Sequence, residues 1–231
     1  MENKAKILLV EDDYNFGSVL KAYLELHDYE VEWIADGKFA IKSFNENRFD
    51  LCVLDIMLPN MNGFEIAGNI HKLRPKTPFI FLTAKTLKED VLRGYETGAD
   101  DYITKPFDSE VLLAKVKAVL QRTLPQANSV PLEEIYTFGE FVFNYLNRTL
   151  VHNNKTFNLS PREADLLKLL CEHKNEVLPR NLALQSIWGE EGYFTTRSMD
   201  VYITKLRKYL KNDPKISILN IHGNGFRLTE Q

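Results

Sequence analysis

Acidic side chains follow two apolar runs of strand length in this chain. The run 6–10 leads into Asp12 and Asp13, and the run 50–55 ends on Asp55. Carboxylates that lie together repel one another and raise one another's pKa unless a cation is present. Mg²⁺ prefers oxygen ligands and retained waters, so such a cluster favours it above other ions. The pattern therefore predicts a magnesium site where the two runs end.

A hydroxyl and an ammonium group follow two later apolar runs. Thr83 ends one run, and Lys105 follows the next. A metal ion beside an ammonium and a hydroxyl group forms an arrangement that binds phosphoryl groups. Single residues of this set also have a purely structural interpretation. Asp12 is then a helix cap, Lys105 a solvated loop lysine, and Tyr102, in the run before Lys105, a core aromatic residue. Their joint occurrence at strand ends favours the functional interpretation.

Alternating apolar runs and amphipathic segments must position these side chains. The first 122 residues predict five strands, each followed by a helix, which is typical of a parallel sheet covered on both faces. Ligands of such sheets bind beyond the carboxyl ends of the strands, where the strand order reverses. We therefore expect an α/β, flavodoxin-like doubly wound domain with the acidic site at that edge. The predicted strands are 6–10, 29–35, 50–55, 78–84 and 100–104, and the predicted helices lie near 14–27, 36–47, 63–73, 87–97 and 108–121.

Four motifs at these strand ends resemble one known family. They are "EDD" after the first strand, "LDIMLPNMNG" around the third, "LTA" after the fourth and "DDYITKPF" after the fifth. Together they resemble the receiver domain of two-component response regulators over residues 1–122. The resemblance implies that Asp55 accepts a phosphoryl group from a sensor histidine kinase, with Mg²⁺ as the cofactor.

The same resemblance implies roles for the other residues of the site. The implied metal ligands are Asp12, Asp13, Asp55 and the backbone carbonyl of Met57, and the implied phosphate-binding residues are Thr83, Ala84, Lys105 and Pro106, with a cis peptide bond before the proline. Thr83 and Tyr102 would form a switch pair. A phosphoryl group on Asp55 is a new dianion that attracts the Thr83 hydroxyl. The movement of Thr83 then leaves space for the ring of Tyr102.

The chain after residue 122 has a different pattern. The stretch 123–135 carries two prolines and small polar residues, which predicts a linker. Residues 136–231 begin with aromatic and β-branched runs, continue with three helical segments and end with a hairpin signal. This layout predicts a winged helix-turn-helix domain. The segments "LSPREADLLKLL", "LPRNLALQSIWG", "RSMDVYITKLRKYL" and "IHGNGFRL" resemble the DNA-binding effector domain of the OmpR/PhoB family.

The third helical segment, 197–211, predicts a surface for double-stranded DNA. Its apolar residues repeat at core spacing, and its basic residues lie on the opposite face. Lysine and arginine reach phosphates and guanine, and a valine contacts a thymine methyl group; an ordinary solvated helix face is the alternative. His222 stands where family members commonly carry an arginine, so we expect weaker, pH-sensitive minor-groove binding. The predicted DNA-binding residues are Arg197, Val201, Thr204, Lys205, Arg207, Lys208 and His222.

The resemblance also implies a homodimer through the fourth helix, fifth strand and fifth helix of the receiver domain. The matching charged pairs are Glu96 with Lys117, Asp101 with Lys115 and Asp100 with Arg122, and a further pair is apolar here, Val91 with Val111. Lysine at position 115 replaces a commoner arginine and loses its bidentate geometry. We expect phosphorylation to strengthen this dimer and to place two effector domains on tandem half-sites.

Composition excludes several other classes of protein. The net charge of −3 argues against a protein that binds nucleic acids without specificity. No apolar run approaches the length of a membrane span, which argues against a membrane-spanning protein. Cys52 and Cys171 lie in apolar segments without metal-binding spacing, so we expect buried, reduced thiols. The N-terminus lacks the apolar core and cleavage site of a signal peptide, so we expect a cytoplasmic protein.

These features together predict a DNA-binding transcriptional regulator switched by phosphorylation of Asp55, with RNA polymerase as a further candidate partner. One alternative is a phosphotransferase with an aspartate nucleophile. Such enzymes need a second acid two residues on, and Met57 occupies that position, so we expect no enzyme activity beyond slow self-dephosphorylation. The other alternative is a regulator that acts through protein contacts without phosphorylation, which predicts a degraded pocket.

Overall fold

The computed structural model describes residues 4–84, 94, 97–123, 134–189 and 193–230. The chain divides into two compact units, Met1–Ala127 and Asn128–Gln231. The helix predicted near 87–97 lies outside the described residues except for Gly94 and Thr97, as does most of the predicted linker. Within the described ranges, no helix is long and apolar enough to span a bilayer.

The first unit contains a five-stranded parallel sheet. Its strands lie in the order β2-β1-β3-β4-β5, which is the order of a flavodoxin-like doubly wound fold and confirms that prediction. The strands are β1 (Lys6–Val10), β2 (Glu30–Ile34), β3 (Leu51–Asp55), β4 (Phe79–Thr83) and β5 (Asp101–Thr104), and the described helices are α1 (Tyr14–Leu26), α2 (Gly37–Glu46), α3 (Gly63–Leu73) and α4 (Ser109–Thr123).

The centre of this sheet is apolar and buried. Every residue of β3 and β4 is buried, as expected for inner strands of a parallel sheet. The strand order reverses at β1, which has β2 on one side and β3 on the other, with Val10 opposite Leu54. The carboxyl ends of β1 and β3 therefore lie side by side, and the acidic residues that follow them meet at one edge.

The described residues of the second unit form two antiparallel sheets and three helices, which confirms the predicted winged helix-turn-helix fold. Helix α5 begins with the predicted capping box of Ser160 and Glu163, and the last helix begins at Tyr193 rather than at 197. The elements are a meander of β6 (Ile135–Phe138), β7 (Phe141–Asn144), β8 (Thr149–His152) and β9 (Lys155–Asn158), the helices α5 (Pro161–Glu172), α6 (Arg180–Trp188) and α7 (Tyr193–Leu210), and a sheet of β10 (Leu178–Pro179), β12 (Gly225–Glu230) and β11 (Ile216–Ile221).

The two cysteines differ in burial. Cys52 is fully buried in β3, as predicted, whereas Cys171 is half-buried and not fully buried as predicted. Its surroundings still raise the pKa of the Cys171 thiol to about 12 through burial. Because the thiolate is the reactive form, we expect neither cysteine of the native protein to react with a chromogenic disulfide reagent at pH 8 while a urea-unfolded sample reacts fully. Rapid labelling of one thiol in the native protein would contradict this placement.

Candidate functional site

An acidic cluster lies where β1 and β3 end. One carboxylate oxygen from each of Glu11, Asp12 and Asp55 lies within 4.8 Å of the others. Glu11 and Asp55 are buried, at 1 % and 5 % exposure, whereas Asp12 faces solvent. Like charges at this spacing need a cation, and the oxygen donors suit a hard divalent ion.

Lys105 supplies a positive charge inside this cluster. Its Nζ donates to Glu11 Oε2 and to Asp55 Oδ2, both at 2.6 Å, and lies 4.4 Å from the centroid of the Phe16 ring. Burial alone would lower the pKa of Lys105, but the hydrogen bonds to Asp55 and Glu11 outweigh it and raise that pKa. Burial raises the pKa of Glu11, and Lys105 offsets part of that effect. Lys105 is therefore held between two buried carboxylates and is not a solvated loop lysine.

Asp13 lies outside the cluster. Its Oδ1 accepts hydrogen bonds from the backbone N–H groups of Asn15 at 2.9 Å and Phe16 at 3.0 Å, so this side chain caps α1. Such a cap satisfies donors that have no partner within the helix. The structure corrects the predicted metal assignment of Asp13, because Glu11 occupies that place in the cluster. The capping role considered for Asp12 belongs to its neighbour.

Asp55 is oriented through both of its carboxylate oxygens. Oδ1 accepts the backbone N–H of Met57 at 2.7 Å, while Oδ2 accepts from Lys105. Two donors from fixed directions hold the carboxylate in one orientation before any ligand arrives. The hydrogen bond also brings the Met57 backbone beside the cluster, where its carbonyl remains a predicted ligand.

The predicted switch residues lie on neighbouring strands. Thr83 is fully buried at the end of β4, and its carbonyl accepts the N–H of Lys105 at 2.7 Å. The peptide bond between Lys105 and Pro106 is cis, as the resemblance implied. Tyr102 is 9 % exposed, so its ring points inward, and Ala84 is exposed at the strand end.

In the second unit, α7 presents a polar stripe to solvent. Arg197, Thr204 and Lys208 are exposed and Val201 is half-buried, at the spacing of one helix face. Lys205 lies at the margin of this stripe, where its Nζ pairs with a glutamate of α5 at 3.6 Å. The cationic face predicted for DNA is thus present in the folded unit.

Arg207 has a different environment from the rest of the predicted DNA-binding set. Its Nε and Nη2 donate to the carbonyl of Ile218 at 2.9 and 2.8 Å, so the guanidinium attaches α7 to β11. Arg207 is nevertheless exposed, so its predicted contact with DNA stays a prediction. His222 is exposed in the turn between β11 and β12, where the wing was predicted.

Comparison with known proteins agrees with both units. Residues 7–117 match the model of the response regulator receiver domain, and residues 154–228 match that of the C-terminal domain of transcriptional regulatory proteins. The transcriptional regulatory protein RprY of Bacteroides fragilis is 47 % identical over 228 residues, which cover 99 % of this chain and 96 % of that protein. The alkaline phosphatase synthesis transcriptional regulatory protein PhoP of Bacillus subtilis is 36 % identical and covers 97 % of each chain. The crystal structure of DrrB, an OmpR/PhoB homolog of Thermotoga maritima, is 33 % identical with a TM-score of 0.52, and covers 98 % of this chain and 100 % of that one.

The chain belongs to the OmpR/PhoB family of response regulators. It pairs a receiver domain with a DNA-binding winged-helix domain, so it is a regulator of transcription in a two-component system. The family implies a sensor kinase and DNA as its partners.

Part of the predicted dimer face of this response regulator is described. Lys115 Nζ donates to both carboxylate oxygens of Asp101 at 3.0 Å within one chain. Val111 is 46 % exposed and Lys117 is exposed, so both can meet a partner. The remaining members, Val91, Glu96 and the side chain of Arg122, lie outside the described residues.

Asp100 does not reach the surface of the response regulator. It is 2 % exposed, and its Oδ2 accepts the backbone N–H of Phe79 at 3.0 Å. A residue buried within one chain cannot contact a second chain directly. The structure therefore corrects the predicted dimer contact of Asp100 to a contact that joins the loop before β5 to β4.

Trp33 supports the acidic loop and was missed by sequence reasoning. Its Nε1 donates to the backbone carbonyl of Glu11 at 2.8 Å. The ring lies against α1, where an added Cβ at Gly17 would meet it, and its centroid lies 5.1 Å from that of Tyr14. A tryptophan in an edge strand carries no sequence signal for such a contact, because its partner lies 22 positions earlier, in the loop after β1.

Proposed function

We propose that this response regulator accepts a phosphoryl group on Asp55 from a cognate sensor histidine kinase in the cytoplasm, and that this modification controls DNA binding. The observation that carries the proposal is the setting of Asp55. Its buried carboxylate is fixed by Lys105 and the Met57 N–H, and two further carboxylates lie within 4.8 Å. A structural aspartate needs no such concentration of like charge, whereas a phosphoacceptor beside a metal ion does.

Mg²⁺ fits the donor chemistry of the cluster. Asp12, Asp55 and the carbonyl of Met57 would hold the ion, with Glu11 beside them. Bound there, Mg²⁺ supplies positive charge to the phosphoryl oxygens. Asp13 is absent from this set because it caps α1.

The residues around Asp55 support an in-line phosphoryl transfer. A carboxylate oxygen of Asp55 attacks the phosphorus of a phosphohistidine; the new O–P bond forms as the P–N bond breaks, and the kinase histidine leaves with that electron pair. Lys105, 2.6 Å from Asp55 Oδ2, is placed to pair with a phosphoryl oxygen. It then exchanges one of its carboxylate contacts for the phosphoryl group.

The buried hydroxyl of Thr83 and the inward ring of Tyr102 support a switch on phosphorylation. Thr83 and the Ala84 N–H would bind the phosphoryl group, and the movement would alter the surface that includes Val111 and Lys117. Dimerisation through that surface would place two winged-helix domains on tandem half-sites of DNA, with RNA polymerase as a further partner.

Asp55 is proposed to act as an acceptor and not as the nucleophile of an enzyme. Met57 occupies the position where an aspartate-dependent phosphotransferase needs its second acid, and its exposed thioether transfers no proton. Slow self-dephosphorylation by water is the expected fate of the acyl phosphate.

Selection of bound duplexes from random DNA, with and without acetyl phosphate, tests the switch. We expect the wild-type protein to enrich longer, tandem sites when acetyl phosphate and Mg²⁺ are present. Asp55→Asn keeps the shape of the side chain but lacks a nucleophilic carboxylate, so its enriched set is expected to be the same in both conditions. An unchanged enriched set for the wild type would instead favour a regulator that acts through protein contacts alone.

Trp33→Phe is expected to weaken Mg²⁺ binding roughly 5-fold, the equivalent of one neutral hydrogen bond, because the ring stays while its bond to the Glu11 carbonyl is lost. Calorimetric titration measures the affinity, and thermal unfolding checks the fold. Tyr14→Phe is the matched control, since Tyr14 contacts Trp33 through its ring. Equal Mg²⁺ affinity in Trp33→Phe and the wild type would show that this hydrogen bond does not support the site.

A further inference from the structure

Arg180 joins three parts of the DNA-binding unit. It is the first residue of α6, and its Nη2 donates to Asp200 Oδ1 in α7 at 2.6 Å. Its Nη1 donates to the carbonyl of Thr196, one turn earlier in α7, at 3.4 Å. Its backbone N–H donates at 3.1 Å to the carbonyl of Asn224, in the turn between β11 and β12. One residue therefore connects the second helix, the third helix and the hairpin turn.

The packing around Arg180 holds the guanidinium in one direction. Its central carbon lies 4.9 Å from the centroid of the Phe226 ring, which is 2 % exposed. Directly before α6, β10 pairs with β12 and places Pro179 opposite Gly225. An added Cβ at Gly225 would meet the backbone carbonyl of Leu178, so the close approach of these strands requires glycine. Arg180 thus belongs to a packed junction and not to a loop tip.

Asp200 lies where a negative charge opposes DNA binding. It is the single acidic residue in the sequence of α7. It is one turn from both Arg197 and Thr204, members of the exposed stripe predicted to face DNA. The side chains of Arg180 and Asp200 are 31 % and 41 % exposed, so phosphates can approach the pair. An unpaired carboxylate here would repel the phosphates, whose charge dominates affinity for DNA.

We propose that Arg180 is a positioning residue for DNA recognition, which neutralises Asp200 and holds the start of α7 against the hairpin turn. Charge and geometry make separate contributions. A lysine would keep the charge, but it could not donate to Asp200 and to the Thr196 carbonyl from two fixed nitrogen atoms while stacking on Phe226. Loss of charge weakens binding to any DNA, whereas loss of geometry weakens the preference for particular bases. The proposal is independent of the phosphorylation of Asp55.

The test compares the binding of the full-length protein to two duplexes of equal length over a range of salt concentrations. One duplex is enriched by the wild type from a random pool, and the other has an unrelated sequence. Arg180→Lys is expected to bind the unrelated duplex with wild-type affinity and salt dependence, but to lose about 10-fold on the enriched duplex. Arg180→Gln is expected to lose affinity for both, more for the enriched one, with the slope of log affinity against log salt shallower by about 0.9.

Whereas Arg180→Lys changes the geometry of the pair while keeping its charge, Asp200→Asn changes the charge while keeping the geometry. It keeps a side-chain oxygen as acceptor for Arg180 and removes the negative charge, so we expect the preference between the duplexes to be kept and the salt slope to steepen by about 0.9. Thermal unfolding shows whether each variant is folded; if Arg180→Gln is not, Arg180→Lys and Asp200→Asn decide the question. The proposal would be overturned if Arg180→Lys preferred the enriched duplex over the unrelated one by the same factor as the wild type. Equal losses on both duplexes in Arg180→Gln would also overturn it, since Arg180 would then be an ordinary phosphate contact.

Discussion

Asp12→Asn is expected to weaken Mg²⁺ binding by at least about 10-fold, whereas Asp13→Asn is expected to leave it within about 2-fold of the wild type. The two changes remove the same charge at adjacent positions, so distant electrostatic effects are matched. They differ in contact, because Asp12 lies in the carboxylate cluster while Asp13 caps α1. Asparagine caps a helix about as well as aspartate, so Asp13→Asn keeps α1 intact.

Calorimetric titration of Mg²⁺ into the two variants and the wild type measures this difference. Equal losses of Mg²⁺ affinity in the two variants would mean that the affinity depends only on the total negative charge of the loop. A larger loss in Asp13→Asn would restore the assignment that the sequence predicted and would contradict the arrangement of Glu11, Asp12 and Asp55.

Lys105→Met is expected to lower the free energy of unfolding of the first unit by about 3 kcal/mol in the absence of Mg²⁺, since removing one partner of a buried ion pair leaves the other uncompensated. Here two carboxylates lose their cation, with side-chain exposures of 1 % and 7 % against 21 % for the lysine. We expect saturating Mg²⁺ to restore most of this loss, because the ion replaces the missing positive charge. Hydrogen exchange of peptides from β1 and β3 in urea, with EDTA or with Mg²⁺, measures the stability of this unit.

Lys115→Met is the matched control for this prediction. Lys115 and Asp101 have side-chain exposures of 25 % and 9 %, close to those of the Lys105 pairs, but only one carboxylate is involved. We expect a smaller loss, about 1–2 kcal/mol, because one carboxylate and not two is left unpaired, and we expect Mg²⁺ not to change it. Two results would show that Glu11, Asp12 and Asp55 do not act as one charged cluster. One is an equal loss of unfolding free energy in the two lysine variants, and the other is a stability of Lys105→Met that does not change with Mg²⁺.

The architecture was predictable because its signals are local. Each strand of the first unit is a short apolar run between polar residues: the run 50–55 became β3, Leu51–Asp55. The capping box of Ser160 and Glu163 identified the start of α5 in the same way. Strand ends then predicted which distant residues meet, since parallel strands share one carboxyl edge.

The choice among three consecutive acids was less predictable. Glu11, Asp12 and Asp13 all follow β1, and residue type alone does not show which carboxylate turns into the site. The available signal was the position of Asp13 directly before a helix, which favours a cap. The sequence does not show that Glu11 turns inward, because glutamate is rarely buried without a partner; the structure does, since Glu11 is 1 % exposed.

Other features depend on contacts between residues that are distant in sequence. Trp33 binds the Glu11 carbonyl, Asp100 binds the Phe79 N–H, and Arg207 binds the Ile218 carbonyl. In each case a polar side chain satisfies a backbone group of another element, and such partners are decided by tertiary packing. Asp100, a charged residue directly before β5, was therefore predicted as a surface contact although the fold uses it internally.

The central claim is that Asp55 accepts a phosphoryl group within an acidic, Mg²⁺-binding cluster. Intact-mass spectrometry after incubation with acetyl phosphate, followed by peptide mapping, tests it directly. The wild type is expected to gain the mass of one phosphoryl group on the peptide that contains Asp55, only when Mg²⁺ is present, and Asp55→Asn is expected to gain none. Labelling of another residue, equal labelling of Asp55→Asn, or labelling that persists in EDTA would contradict the account.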